Sequence, residues 1–307
     1  MNNNLPAFFL LLPALACALT FDLSTDAALG YETGLYDPAD SAYTQNAPFF
    51  AASAEPILTQ EFSADWSAEL SLPASAAIRK VAGNDYSAGP SLALIREWKK
   101  KSFQLAGSGE YVSQAGTLDP DQPMKNRLYR LSAEYGWKGA QNLKLSYFLI
   151  RLDEIGSDRK DLSNKIRFKV GFKPSDWVLP GIGVGAGLNS SNVRDYRYKE
   201  FSFSSTLLLL PDNRNSWFFM VNGSRRVYPG ESTGIKKNGA SSKMILIRDP
   251  ANLTDNTALT AAYTRSLSER LDAEISYDFS LYHSGLTRTT DASHKIALGL
   301  SWHLKPL

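Results

Sequence analysis

Along most of this chain one kind of residue recurs at every second position, and no other feature restricts its fold so strongly. Apolar or aromatic side chains alternate with polar or small ones in Phe21-Leu23-Thr25-Ala27-Leu29-Tyr31, Trp66-Ala68-Leu70-Leu72, Phe103-Leu105-Gly107-Gly109-Tyr111 and Tyr129-Leu131-Ala133-Tyr135-Trp137. The pattern returns in Ile166-Phe168-Val170-Phe172, Val178 to Leu188, Phe201-Phe203-Ser205-Leu207-Leu209, Leu271 to Leu281 and Ile296-Leu298-Leu300-Trp302-Leu304. A period of two puts all the apolar residues of an extended strand on one face. Helical periodicity is hard to find. Beyond the N-terminus no apolar run reaches the roughly 18 residues of a membrane-spanning helix.

The connections sort into two kinds. Short turns fall near Ser63-Ala64-Asp65, Lys99-Lys100-Lys101, Gly139-Ala140-Gln141, Pro174-Ser175-Asp176, Asp212 to Asn215 and Ser268-Glu269. Between them come longer polar segments: Asp37 to Ala47, Val81 to Ser87, Gly116 to Lys125, Glu154 to Asp161, Asn189 to Arg197, Pro229 to Thr254 and Ser284 to Ser293. A soluble sandwich has no reason to sort its loops this way, and its turns come every 8 to 12 residues or so, against about 20 here. The expectation is an all-β chain, an antiparallel up-and-down transmembrane β-barrel of about 14 strands. Lipid satisfies no backbone hydrogen bond, so a sheet crosses a membrane only by closing on itself. Aromatic residues near strand ends, such as Tyr31, Trp66, Trp98, Tyr111, Trp137, Tyr147, Trp217, Tyr263 and Trp302, would then form interfacial girdles.

The first 18 residues read as an export signal, with an apolar stretch from Leu5 to Leu15 followed by small residues. Residues 19–307 would be the barrel. Ala16-Cys17-Ala18 fits a cleavage site, and Ala14-Leu15-Ala16 before Cys17 fits a lipidation site; both stay open. Cys17 is the only cysteine, so the remainder has no disulfide, zinc-thiolate site or cysteine nucleophile.

The export signal, the alternation, the loop asymmetry and the closing strand Lys295 to Leu304 together resemble the bacterial outer-membrane β-barrel (porin-like) superfamily. The resemblance implies a Gram-negative outer membrane, contact with its lipid and lipopolysaccharide, and insertion by the barrel-assembly machinery. Leu29 to Tyr36 and Ala297 to Trp302 also resemble the barrels of surface-export proteins, which would imply a periplasmic partner. The chain departs from the family at its end, Trp302-His303-Leu304-Lys305-Pro306-Leu307, where an aromatic residue is usual and Trp302 or Leu304 would stand in.

If the apolar positions face lipid, the residues between them face the lumen. Asp22, Asp26, Glu32, Glu55, Glu61, Asp272, Glu274 and Asp278 would form an acidic wall on the first, second and thirteenth strands. Lys165, Arg167, Lys169 and Lys173 of the eighth strand, with Arg130 and Lys144 nearby, would form a basic wall opposite. Such walls would set a transverse field across a wet lumen, or pair with one another and plug it. Gly181, Gly183, Gly185 and Gly187 would all point inward from the ninth strand, making room for a loop or a solute or simply relieving crowding. Met244 to Ile247, in the longest loop, would fold inward, project as a hairpin or add a strand pair, with the first preferred.

Lys+Arg 33 against Asp+Glu 31 gives no basic excess for nucleic acid. The three histidines, His283, His294 and His303, make poor catalytic material. His283 and Ser284 are adjacent, and neighbours on a strand point to opposite faces. There is no metal-ligand spacing and no phosphate loop, so no enzyme, metal or cofactor is expected. The reading is a channel for passive diffusion of small polar solutes; the alternatives are an export barrel with a periplasmic partner and a structural or adhesive surface barrel.

Overall fold

The computed structural model describes residues 19–35, 45–79, 84–114, 124–139, 141–193, 196–228, 232–238, 241–247, 253–284 and 289–304. The expected signal, residues 1–18 with Cys17, lies outside them, as do parts of the expected loops Asp37 to Ala47, Val81 to Ser87, Gly116 to Lys125, Asn189 to Arg197, Pro229 to Thr254 and Ser284 to Ser293.

Alternation becomes strand throughout, and no α-helix occurs among the described residues. In chain order the strands are β1 (Leu19–Leu35), β2 (Gln45–Ser63), β3 (Trp66–Ser71), β4 (Ala74–Arg79), β5 (Asp85–Ala88), β6 (Ser91–Trp98), β7 (Lys101–Gln114), β8 (Met124–Trp137) and β9 (Gln141–Ile155). They continue with β10 (Lys160–Phe172), β11 (Val178–Ser191), β12 (Tyr198–Leu209), β13 (Asn215–Val227), β14 (Ser232–Asn238), β15 (Ser241–Ile247), β16 (Leu253–Ser266), β17 (Leu271–Ser284) and β18 (Thr289–Leu304).

Each strand pairs antiparallel with its neighbour, and β18 returns to pair with β1 from Leu23 opposite Leu304 to Thr33 opposite His294. That last pairing removes both sheet edges, as a lipid-embedded sheet requires. Sixteen segments make fourteen crossings, because β3 with β4 and β5 with β6 are each one crossing interrupted in the middle. The interruptions fall at Pro73 and Pro90, which have no N–H to give to a ladder. Their carbonyls still accept, from Gly89 N–H at 3.1 Å and Gly109 N–H at 3.0 Å, so the sheet stays continuous.

The short connections lie at one end together with both strand termini Leu19 and Leu304. Two of them show why they are tight. Lys99 takes a positive φ of 52° in the two-residue turn between β6 and β7. Asp212 accepts the backbone N–H of Arg214 and Asn215, each at 2.8 Å, and the Asn215 side-chain amide at 2.7 Å. The Asn215 amide, and then these backbone donors, hold the Asp212 carboxyl below the usual carboxylate range.

At the other end two details differ from the sequence reading. The connection expected over Glu154 to Asp161 is only residues 156–159, because β9 and β10 run further and Gly156 turns with φ 95°. The expected 229–254 loop carries β14 and β15, which pair with each other as a separate two-stranded sheet. Met244 to Ile247 thus lies in an extra strand pair, one of the possibilities the sequence offered.

No large side chain is fully buried among the described residues, and the buried apolar ones are Ala47, Phe49, Ala93 and Ala297 alone. The apolar mass is on the outside instead: Leu29 is 63% exposed, Ile182 58% and Leu298 59%, with Phe50, Leu105, Phe168 and Phe203 in the same band. A soluble domain inverts this arrangement. The band is the surface of a membrane-spanning barrel.

Candidate functional site: the inner wall

Residues directly opposite one another on paired strands share a face. Phe168 is opposite Leu145 and Val184, all three exposed on the outer side, so Arg167 and Lys169 stand on the inner side. The same register carried around the barrel puts Arg130, Lys144 and Lys165 on that inner face. It puts Asp22, Asp26, Glu32, Glu55 and Glu61 there as well, and Asp272, Glu274 and Asp278 across the β17–β18–β1 seam. Lys173 is not on the wall. The strand stops at Phe172 ahead of Pro174, and the Lys173 ammonium pairs with Asp176 in the turn at 2.8 Å.

The two walls are less segregated than expected, because each carries opposite charges that pair locally. On the acidic side Arg79 lies between Glu32, at 3.1 Å, and Asp85, at 2.5 Å. Lys295, opposite Glu32, lies 4.7 Å from the centre of the Phe49 ring. On the basic side Lys144 pairs with Glu134. Glu200 accepts from Lys165 at 2.7 Å and from Arg226 at 2.9 Å, joining β10, β12 and β13.

Other charges lack an ion-pair partner among the described residues: Asp22, Glu55, Glu61 and Glu69 on one side, Arg130, Arg167 and Lys169 on the other. Asp26 and Asp278 are held by hydroxyls instead, from Ser53 at 2.8 Å and Thr260 at 2.7 Å. Asp26, Glu61, Arg130, Lys144, Arg167, Lys169 and Glu274 are exposed although they point into the barrel. A charged group without a partner is costly away from water.

Gly181, Gly183, Gly185 and Gly187 form a bare strip of β11 on the inner face. A Cβ at Gly181, Gly183 or Gly185 would come within 2.6–2.7 Å of a hydroxyl oxygen of Thr206, Ser204 or Ser202. At Gly187 it would come 2.9 Å from Lys165 Cγ. The strip is therefore the floor over which side chains of β10 and β12 lean. A pocket of about 390 Å³ opens there, lined by Arg167, Lys169, Ser202, Ser204, Asn222 and Asn256 among others. A second, of about 450 Å³, lies on the opposite stretch, where Ala28, Ala51, Ala77, Ser53, Ser75 and Ser87 keep the wall low.

Sequence reasoning missed Glu69, Arg79, Glu134, Glu200, Arg226 and Lys295 on this face. Glu134 and Glu200 directly precede the outward residues Tyr135 and Phe201, so the alternation itself could have found them. Arg79 was hidden by Pro73, which breaks the pattern of the strand that carries it.

The histidines are dispersed. His283 and His294 are exposed on the outer face, and His294 Nδ1 meets Tyr277 Oη at 2.8 Å. His303 is inward, 3.6 Å from Asp272.

The outer rims differ chemically. All six tryptophans, Trp66, Trp98, Trp137, Trp177, Trp217 and Trp302, stand at the short-turn end. Arg96 lies over both Trp66 and Trp98, at 5.1 and 4.9 Å from the ring centres. At the long-loop end Lys125, Arg127, Arg151 and Lys160 face outward above Tyr111 and Tyr129, with Asp153 opposite both Arg127 and Lys160.

No family model matches the chain, and no curated protein does. Solved structures do resemble it. A loop-deletion mutant of OmpT, an outer membrane protein of Vibrio cholerae, superposes with a TM-score of 0.54 at 7% identity, covering 94% of this chain and 100% of that one. The anion-selective porin from Comamonas acidovorans gives 0.52 at 8%, covering 94% and 99%. A mutant of the TodX monoaromatic hydrocarbon channel gives 0.54 at 7%, covering 94% and 90%. With its closed fourteen-strand sheet and outward apolar band, the chain has the fold of the bacterial outer-membrane β-barrels.

Proposed function

We propose that the protein is a passive channel of the outer membrane for small polar solutes, selective through the charges of its inner wall. The observation that carries this is the exposure of inward-pointing ionic groups on both sides of the barrel, with no packed core between them among the described residues. A filled interior would bury and pair such groups. Instead, Arg79, Glu200 and the Lys144–Glu134 pair are tied up locally, while Arg130, Arg167 and Lys169 on one side and Glu55, Glu61 and Glu69 on the other have no ion-pair partner among the described residues. Solved barrels of the same fold include channels for anions and for hydrocarbons; the polar inner wall favours polar solutes. We also assign the outward cations Lys125, Arg127 and Lys160 to the phosphates of lipopolysaccharide.

The test is conductance of the refolded protein in a planar bilayer under a salt gradient, with heat-modifiable gel migration reporting barrel formation. Discrete steps with a non-zero reversal potential are expected. A folded barrel that stays silent would overturn the reading.

A further inference from the structure

The inner-wall pocket beside β11 has a chemistry of its own. Its cations Arg167 and Lys169 are exposed and have no carboxylate within ion-pair distance among the described residues. The one carboxylate that lines it, Glu200, is already shared by Lys165 and Arg226. The lining thus holds two cations and one carboxylate, and that carboxylate is already neutralised by two cations from outside the lining, so the pocket is positive. Below and beside the cations lies a ladder of neutral donors and acceptors: Ser202, Ser204 and Thr206 on β12, Asn222 and Ser224 on β13, Asn256 on β16.

These two parts are displayed side by side on neighbouring strands. A fixed oxyanion needs the first, and a run of hydroxyl groups needs the second. A neutral sugar leaves the cations unused, and an inorganic anion leaves the ladder unused. The volume, about 390 Å³, falls within the range of small-molecule sites, roughly 300–1,000 Å³. The Phe148 ring, 5.8 Å from the Arg167 guanidinium carbon, gives that side chain an apolar support at the edge of the site.

We propose that this pocket is a way-station for sugar acids, the carboxylate held between Arg167 and Lys169 and the polyol chain laid along the β12–β13 ladder. The proposal rests on the channel reading and narrows its solute class. The second pocket supports the contrast, since there Arg79 is already paired with Glu32 and Asp85, and Lys295, over the Phe49 ring, is outnumbered by Asp26, Asp85 and Glu110.

The probe is glucuronate, with glucose as the neutral match, added to single channels of the full chain in a planar bilayer. Glucuronate should interrupt the current at millimolar concentration while glucose at the same concentration does not. Arg167→Gln and Lys169→Gln should each weaken the block by roughly tenfold, and Ser53→Ala in the other pocket should leave it unchanged. Equal responses to the two sugars, or block that survives both substitutions, would overturn the proposal. Should the folded barrel not conduct, the channel reading fails, and equilibrium dialysis of labelled glucuronate against the barrel in detergent micelles decides the pocket. Retention lost in Arg167→Gln then supports the site; no retention by the wild type refutes it.

Discussion

Lys165 on β10 reaches across the bare backbone of Gly187 on β11 to an oxygen of Glu200 on β12, 2.7 Å away. Three residues in register across three strands thus make one contact, and the middle one contributes by having no side chain. Arg226 completes the cluster from β13 at 2.9 Å. A Gly187→Leu side chain would meet Lys165 Cγ and Asn164 O, so the cluster should open. Glu200→Gln should leave two cations facing each other and cost about 2 kcal/mol, in the range for hydrogen bonds to charged groups. Both variants should lose the heat-resistant gel form at a lower temperature than wild type. An unchanged midpoint for Glu200→Gln would mean the cluster contributes nothing to stability.

Since Lys165 is tied to Glu200, it is a poor handle on ion selectivity. Arg167 and Lys169 carry no such partner, and their charge is presented to the lumen. Replacing both with Glu should move the reversal potential in a potassium chloride gradient toward cations. Replacing Lys165 alone with Gln should move it less. The reverse order would place the effective charge further toward the loops than the register does.

How far all this was readable in advance depends on what a single strand knows about itself. Phe168 and Lys169 could be assigned to opposite faces because period two is a property of one strand. The closing strand through Ile296, Leu298 and Leu300 announced itself in the same way. The Lys165–Glu200–Arg226 cluster could not be read, because it depends on the register between strands, which hydrogen bonding and turn lengths set. Pro73 and Pro90 break the alternation of the third and fourth crossings without ending the sheet, so Arg79 beyond Pro73 could not be given a face. Lys173 was misplaced because nothing in its own spacing shows that β10 ends one residue earlier.

The outer band makes a sharp demand on Phe168. It is 42% exposed and near the middle of β10, so its ring faces the membrane interior. Phe168→Arg should destabilise the inserted barrel by about 2–4 kcal/mol, the usual cost of such a charge at mid-depth. Urea titration of the barrel folded into phosphatidylcholine vesicles measures it. Phe168→Leu should be close to neutral, separating polarity from shape.

The long-loop rim makes the opposite demand, for charge at the edge of the same outer surface. Lys125 and Arg127 lie among the first, loop-side residues of β8, Arg151 near the end of β9 and Lys160 at the start of β10. Asp153 is their one acidic neighbour on this face among the described residues: it accepts from Arg151 at 2.9 Å, and leaves Arg127 and Lys160 on either side with charge to spare. Outward charge is tolerated at a bilayer edge and costly further in, and a basic rim above Tyr111 and Tyr129 sits where lipid phosphates would meet it. Each such cation near a charged surface is worth about 1 kcal/mol. Lys125→Gln, Arg127→Gln and Lys160→Gln combined should therefore strip most lipopolysaccharide from the purified barrel, measured as phosphate per mole of protein. The Trp-rich rim at the other end offers the control, because Arg96→Gln should leave that ratio unchanged. Equal retention by the triple variant and the wild type would detach these cations from lipid.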